Sequence, residues 1–313
     1  MVKIRPDSGA NELFSPQRTP IPDWLARMYP FETRCLRTPA GARMSFVDEG
    51  PRSDEAVLLL HGNPTWSFLY RELIPGLARA RRCVAPDFIG MGLSSKPAGY
   101  DYRLETRIGE VENLVGSLGL RRIHLVVHDW GGAIGFGWAV RHPELVGRIV
   151  ILNTAAFPSR RIPARIAFCR TPVLGEWIVR GLNGFAAPAA RMAMKARKLA
   201  PDERRGYLFP YDSWANRIAV HRFVMDIPMG SNHPSRAVLE ATAARLPVLG
   251  ANPKLILWGG RDFCFNDEFL ARWRALYPQA EVDYRPDAGH YVLDDAGPAA
   301  RRRIQDFLIP QHP

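Results

Sequence analysis

Short apolar runs separated by amphipathic stretches set the pattern of the chain. Runs of strand length occur at residues 32–38, 43–49, 57–60, 82–86, 123–127, 149–152, 254–258 and 281–285. Between them lie stretches with helical spacing at 68–79, 104–118, 130–141, 267–276 and 298–308. Apolar strands alternating with amphipathic helices predict a mostly parallel sheet with helices on both faces.

Two regions leave this alternation. Residues 1–30 are polar and proline-punctuated and read as an irregular arm, with one short helix at 23–29. Residues 158–235 carry many helix-like stretches and no convincing strand. A helical block inserted into an alternating chain reads as a cap over the C-terminal edge of the sheet, where open α/β sheets place their ligands. The expected organisation is an arm at 1–30, a core from 31–157 and 236–313, and a helical cap at 158–235.

At 313 residues the chain can bury one large core plus an insertion. Apolar residues make up 47% and charged residues 23%, as in an ordinary globular protein. No apolar run approaches the roughly 18 residues of a membrane span, and the first thirty residues do not read as a signal peptide. The four cysteines, Cys35, Cys83, Cys169 and Cys264, are far apart and lack metal-ligand spacing. They read as reduced thiols of a cytoplasmic protein. Neither a metal nor an organic cofactor is expected, since no phosphate-cradling glycine loop is present either. The net charge of +11 invites a nucleic-acid reading. Only five of the 42 basic residues are lysine, so the charge is a general arginine preference. No RNA-binding signature accompanies it, and nucleic acid is not an expected partner.

Chemistry enters at Leu125-Val126-Val127-His128-Asp129-Trp130-Gly131-Gly132. A buried strand runs into a small-residue turn and a helix begins at once. This is a nucleophile elbow, whose strained turn lifts one side chain above the sheet. The elbow residue is Asp129 rather than serine, and Val127 stands where the commonest elbow has glycine. A carboxylate beside a helix N-terminus is favoured in its charged form and suited to attack carbon, giving an ester. The bland alternative is that Asp129 only caps the helix.

His61-Gly62-Asn63-Pro64 follows the strand at 57–60, where such folds build half of an oxyanion hole. Asn63 adds a side-chain amide donor and Trp130 an indole N–H that cannot accept. Beside a carboxylate nucleophile these two make a cradle for an anionic leaving group. Taken singly, Trp130 could be packing and Asn63 a turn residue. Asp262, in Trp258-Gly259-Gly260-Arg261-Asp262, ends a strand as the orienting acid should, and His290 follows in Asp287-Ala288-Gly289-His290. The order nucleophile, acid, histidine is that of the α/β-hydrolase triad. His61 and His142 fit loop and helix-end roles, and His128 has an auxiliary role at most.

HGNPTW (61–66), PDFIGMGLSSKP (86–97) and HDWGG (128–132) resemble the haloalkane dehalogenases, whose halide-stabilising pair matches Asn63 and Trp130. Epoxide hydrolases share similar elbows and use two cap tyrosines, for which Tyr207 and Tyr211 could be proposed, but Asn63 argues against them. A narrower resemblance lies in GFGWA (135–139), LNTAAFP (152–158), GEW (175–177), PYDSWANRIAVHRFVMDIP (210–228) and DAGHYVLDD (287–295). These are similar to the dehalogenase-like β-lactone decarboxylases of bacterial long-chain olefin biosynthesis. The resemblance implies an α/β-hydrolase fold and a hydrophobic cis-3-alkyl-4-alkyloxetan-2-one substrate converted to a cis-alkene and carbon dioxide. It also implies assembly with other enzymes of that pathway. Attack by Asp129 at the ring carbon bearing the lactone oxygen or at the carbonyl carbon both stay open, as does the role of His290. A haloalkane dehalogenase is the rival, with a non-catalytic protein on the same fold behind it. The arginine-rich stretch 160–205, studded with apolar residues, adds the expectation of peripheral contact with an anionic membrane.

Overall fold

The computed structural model describes residues 14–15 and 20–309. Its strands are β1 (Phe14–Ser15), β2 (Thr33–Arg37), β3 (Arg43–Glu49), β4 (Glu55–Leu60), β5 (Arg82–Pro86), β6 (Arg122–Asp129), β7 (Val146–Thr154), β8 (Lys254–Gly259) and β9 (Glu281–Arg285). They form one nine-stranded sheet in the order β1-β2-β3-β5-β4-β6-β7-β8-β9. Pairing is antiparallel from β1 through β3 to β5 and parallel from there to β9. The central strands β4, β6 and β8 are buried almost throughout, as a sheet covered on both faces requires.

The helices explain the two coverings. α1 (Asp23–Ala26) and α2 (Ile74–Leu77) come early; α3 (Leu104–Ser117) and α4 (Trp130–Ala139) flank β6. Between β7 and β8 come α5 (Ala164–Phe168), α6 (Leu174–Glu176), α7 (Ala186–Met192), α8 (Pro201–Leu208), α9 (Ile218–Met225) and α10 (Pro234–Arg245). α11 (Asp267–Leu276), α12 (Val292–Asp295) and α13 (Gly297–Leu308) complete the chain. Successive strand residues point to opposite faces. Leu58, Leu125, Val127, Ile151 and Ile256 join one core with α3, α4 and α11, while Val57, Leu59, Val126, Leu152 and Leu257 join another with α2 and α13.

The structure departs from the sequence expectations in two places. The helix expected at 68–79 is a 3₁₀ turn at Ser67–Tyr70 followed by the single turn α2; Pro75 has no N–H and is tolerated only in a first turn. Residues 14–15 of the expected irregular arm pair with the edge strand β2. α10, which starts at Pro234, packs on α3 and α4. Strand order reverses between β4 and β6, and that crevice at the carboxyl ends is where such sheets bind ligands.

Candidate active site

β6 carries Asp129 to the crevice and α4 starts with the next residue. Asp129 has φ 51° and ψ −124°, a conformation that costs a non-glycine residue on the order of 1–3 kcal/mol and marks functional turns. The turn is tight enough to dictate its neighbours. A Cβ on Gly131 would run into the Leu60 carbonyl, and one on Gly132 into the Thr154 hydroxyl. Thr154 in turn donates to the Asp129 carbonyl.

The Asp129 carboxylate is held at one end. Its Oδ1 accepts the Asn63 backbone N–H at 2.7 Å, and the Trp130 N–H also bonds the carboxylate. These are the two N–H groups that the loop after β4 and the elbow supply. Oδ2 faces His290, whose Nε2 is 3.6 Å away. On the far side of the ring, His290 Nδ1–H donates to Asp262 Oδ2 at 2.7 Å, and Asp262 Oδ1 accepts the Cys264 N–H at 2.6 Å. The structure therefore brings Asp129, His290 and Asp262 into one line.

Burial pushes the Asp129 carboxyl above its ordinary range, against the pull of His290 and the two N–H groups. Burial works against a charged His290, but Asp262 and Asp129 outweigh it and its pKa ends above the ordinary histidine value. Two acids thus favour the charged form of one buried histidine.

Asn63 and Trp130 both line a cavity of about 580 Å³ that opens above Asp129 and His290. Its walls are apolar: Phe157, Ile162, Ile166, Phe185, Leu239 and Phe269 among them. One N–H of the Asn63 amide goes to the Val220 carbonyl of α9 at 3.1 Å, so the same residue ties the loop to the helical insertion. The Trp130 ring packs on Phe223 of α9 at 5.3 Å; its indole N–H has no protein partner among the described residues. Tyr207 and Tyr211 do not line the cavity. Tyr207 donates to Asp294 Oδ2 at 2.6 Å and Tyr211 to the Thr65 carbonyl at 3.4 Å, which removes the two-tyrosine alternative.

His61 organises its loop: one ring nitrogen meets the Gly62 carbonyl and the other accepts the Phe88 N–H. Burial holds its pKa down at about 3, so it is neutral. His128 does more than its sequence position suggested. Its Nε2–H donates to the His290 backbone carbonyl at 2.8 Å, and the two rings lie 4.6 Å apart. Asp294 and Asp295, for which the sequence offered no role, are both buried, and Asp295 bonds the His290 loop at Gly289. Among the described residues no group of three or more His, Cys, Asp or Glu side chains could hold a metal ion.

Residues 55–297 match the family model described as alpha/beta hydrolase fold. The cis-3-alkyl-4-alkyloxetan-2-one decarboxylase of Xanthomonas campestris is 44% identical over 291 residues, spanning 90% of this chain and 97% of that protein. The protein of the same name from Shewanella oneidensis is 41% identical, over 91% of this chain and 90% of its own length. Haloalkane dehalogenase 2 of Mycobacterium tuberculosis is 33% identical over 86% of this chain and 92% of its own. Among solved structures, haloalkane dehalogenase DbeA from Bradyrhizobium elkani superposes with a TM-score of 0.78 at 28% identity, over 86% of this chain and 94% of that one. With its elbow aspartate, its histidine and its covering helices in place, the chain belongs to the haloalkane dehalogenase-like branch of the α/β-hydrolase family, with the cis-3-alkyl-4-alkyloxetan-2-one decarboxylases.

Proposed function

We propose that this chain decarboxylates cis-β-lactones bearing two alkyl chains to cis-alkenes, with Asp129 as nucleophile. The observation that carries the reading is the near full-length 44% identity to a decarboxylase against 33% to a dehalogenase. The geometry gives it a mechanism. With Oδ1 held by the Asn63 N–H, Oδ2, which faces His290, is the oxygen that attacks, at the floor of an apolar cavity that suits alkyl chains.

Oδ2 attacks the ring carbon bearing the lactone oxygen. The C–O bond of the ring breaks, and the electron pair leaves with the carboxylate that this exposes. Trp130 offers it an unpaired indole N–H, with the Asn63 amide alongside. In the second step the C–CO₂⁻ bond breaks, its electrons form the C=C bond, and the bond to Asp129 is released. The carboxylate nucleophile is regenerated with no water or proton consumed. Inversion followed by anti elimination is a net syn loss, which gives the cis-alkene from the cis-lactone. His290, oriented by Asp262, acts as a charge that holds Asp129 ionised in a buried site. In the rival dehalogenase reading the same histidine would activate water to cleave the ester.

Purified protein given a racemic cis-β-lactone should yield cis-alkene and carbon dioxide in equal amounts. Release of the β-hydroxy acid instead would establish a hydrolase.

The segment 158–235 acts in this reading as the cap, over a core formed by 31–157 and 236–313, with residues 1–30 as an arm. No helix among the described residues is long and apolar enough to cross a membrane. The cap does expose Phe168, Val173, Leu174, Trp177 and Leu182, and Phe168 also lines the cavity. Arg160, Arg161, Arg165 and Arg191 are exposed on the same segment. An apolar surface with cations, continuous with the cavity wall, fits an anionic lipid surface from which an alkyl substrate would enter. Sedimentation with anionic but not neutral vesicles, weakening as salt rises, tests this. Binding to an upstream pathway enzyme with no binding to vesicles would replace lipid by a protein partner.

A further inference from the structure

Asp295 stands outside the line of Asp129, His290 and Asp262, yet its bonds reach the backbone on which His290 sits. The carboxylate is buried and accepts four backbone N–H groups. Oδ2 takes Gly289 at 2.6 Å and Lys195 at 2.6 Å; Oδ1 takes Ala196 at 2.9 Å and Arg197 at 3.0 Å. Gly289 immediately precedes the histidine. Residues 195–197 belong to the helical insertion, between α7 and α8. One carboxylate therefore joins the backbone that leads into His290 to the backbone of the cap.

The neighbouring bonds run the same way. The Tyr291 N–H donates to the Ala193 carbonyl at 3.1 Å, and a Cβ on Gly289 would strike that same carbonyl. The His290 carbonyl is held from below by His128. The backbone on either side of the base is thus fixed by the insertion, and its own carbonyl by β6. Asp294 supplies a different clamp made of side chains. Arg71 meets it with two bonds of 3.1 and 3.0 Å, and Tyr207 of α8 donates to it.

We propose that Asp295 is a positioning residue that makes the alignment of His290 on Asp129 depend on the seating of cap residues 193–197. A cap that lifts to admit substrate withdraws three of the four N–H groups from the carboxylate. The loop that carries His290 then keeps only its bonds to the core, from Gly289 to Asp295, from His128 to the His290 carbonyl and from the ring to Asp262. His290 comes fully into line when the cap closes over the substrate, which couples closure to chemistry. The inference rests on His290 serving the reaction, as in the function proposed above, but its structural half does not.

The test compares Asp295→Asn with Asp294→Asn. The first places an NH₂ against backbone N–H donors at the base loop, and the second weakens only the side-chain clamp. The far-downfield proton resonance of the His290 Nδ1–H···Asp262 bond reads the alignment in free enzyme, without turnover. Asp295→Asn should broaden or shift that resonance and cut kcat by about 10²-fold, the cost of a misplacement on the order of 1 Å, with KM little changed. Asp294→Asn should lower the melting temperature and leave the resonance in place. An Asp295→Asn enzyme that keeps both the resonance and kcat, or an Asp294→Asn enzyme that loses the resonance equally, overturns the proposal. A shifted resonance with unchanged kcat keeps the coupling and removes His290 from the reaction. Should Asp295→Asn fail to fold, native-state hydrogen exchange on the wild type decides. The amides of Gly289, Lys195, Ala196 and Arg197 should open together, and much faster exchange at 195–197 than at Gly289 would contradict the coupling.

Discussion

The sheet and the helical insertion enclose the same cavity and are held together by different forces. β4, β6, β7 and β8 are buried nearly end to end, and their Val, Ile and Leu side chains fill two continuous cores. The insertion is made of short helices that lend Val179, Ala186, Phe223 and Val224 to one of those cores and are secured in addition by polar bonds. Arg170 donates to the Val224 and Ile227 carbonyls and Arg217 to the Tyr211 and Gly181 carbonyls, while Arg71, through Glu203, and Asp295 clamp it to the core. Asp129 thus sits on the part held by hydrophobic burial, while the part that closes the cavity above it adds directional bonds to its apolar contacts. A rigid floor with a releasable cover is what a reaction needs if its substrate must enter a closed apolar space.

The largest effect should fall where floor and cover meet at the reacting atoms. Asn63→Ala and Trp130→Phe should each slow the first chemical step by roughly 10²–10³, the usual cost of losing one such donor. Rapid-quench measurement of the ring-opening step checks this, and unchanged rates would reduce the pair to packing. Asn63→Ala also removes the bond to Val220, so it should lower stability as well, which Trp130→Phe should not.

The cover itself should break most easily at its buried clamp. The Arg71 side chain is 1% exposed and Asp294 2%. Burial opposes the charge on Arg71, but Asp294 and Glu203 hold its pKa above the ordinary value. Arg71→Met leaves Asp294 buried without its cation, a loss of about 3–5 kcal/mol. Arg197, 39% exposed against Glu203, should cost under about 1 kcal/mol on replacement by alanine, because solvent screens the pair. Chemical denaturation compares the two, and equal losses would mean that burial does not set the value of these clamps.

A smaller effect should appear in pH dependence. The Asp129 pKa is raised, so the acid limb of kcat should lie above the ordinary carboxylate range and activity should fall as pH drops through it. The His290 pKa is also raised. Its contribution to stability is present in full below the unfolded-state value and is lost as pH rises through the folded value. Asp262→Asn removes the main group that raises it, so the alkaline limb should move to lower pH. A limb that does not move would detach His290 from the profile.

The same division governs how much was legible in the sequence. The parallel strands were readable because burial on both faces writes itself as apolar runs, and the expected 254–258 and 281–285 lie within or on β8 and β9. The elbow was readable because Asp129, Gly131 and Gly132 are adjacent in sequence and each is required by the turn. The insertion could be read as helical and no further. α5, α6 and α7 are too short for periodicity, and their anchors are arginine-to-carbonyl bonds with no sequence signature. Arg170 and Arg180 belong to the arginine-rich stretch read as a membrane-facing surface, but Arg170 bonds two carbonyls of the insertion and Arg180 sits against Trp214 and bonds its carbonyl. His128, Asp294 and Asp295 were missed as supports because the partners of the first two, and three of the four donors to Asp295, are more than 80 residues away in the chain.

The account turns on a covalent bond to one oxygen of Asp129. Rapid quench of wild-type protein with a cis-β-lactone, followed by mass analysis of the Asp129 peptide, tests it directly. The account expects the peptide to gain the mass of the whole lactone and lose it as alkene appears, with Asp129→Ala forming neither adduct nor alkene. Alkene formation by Asp129→Ala at the wild-type rate would contradict it.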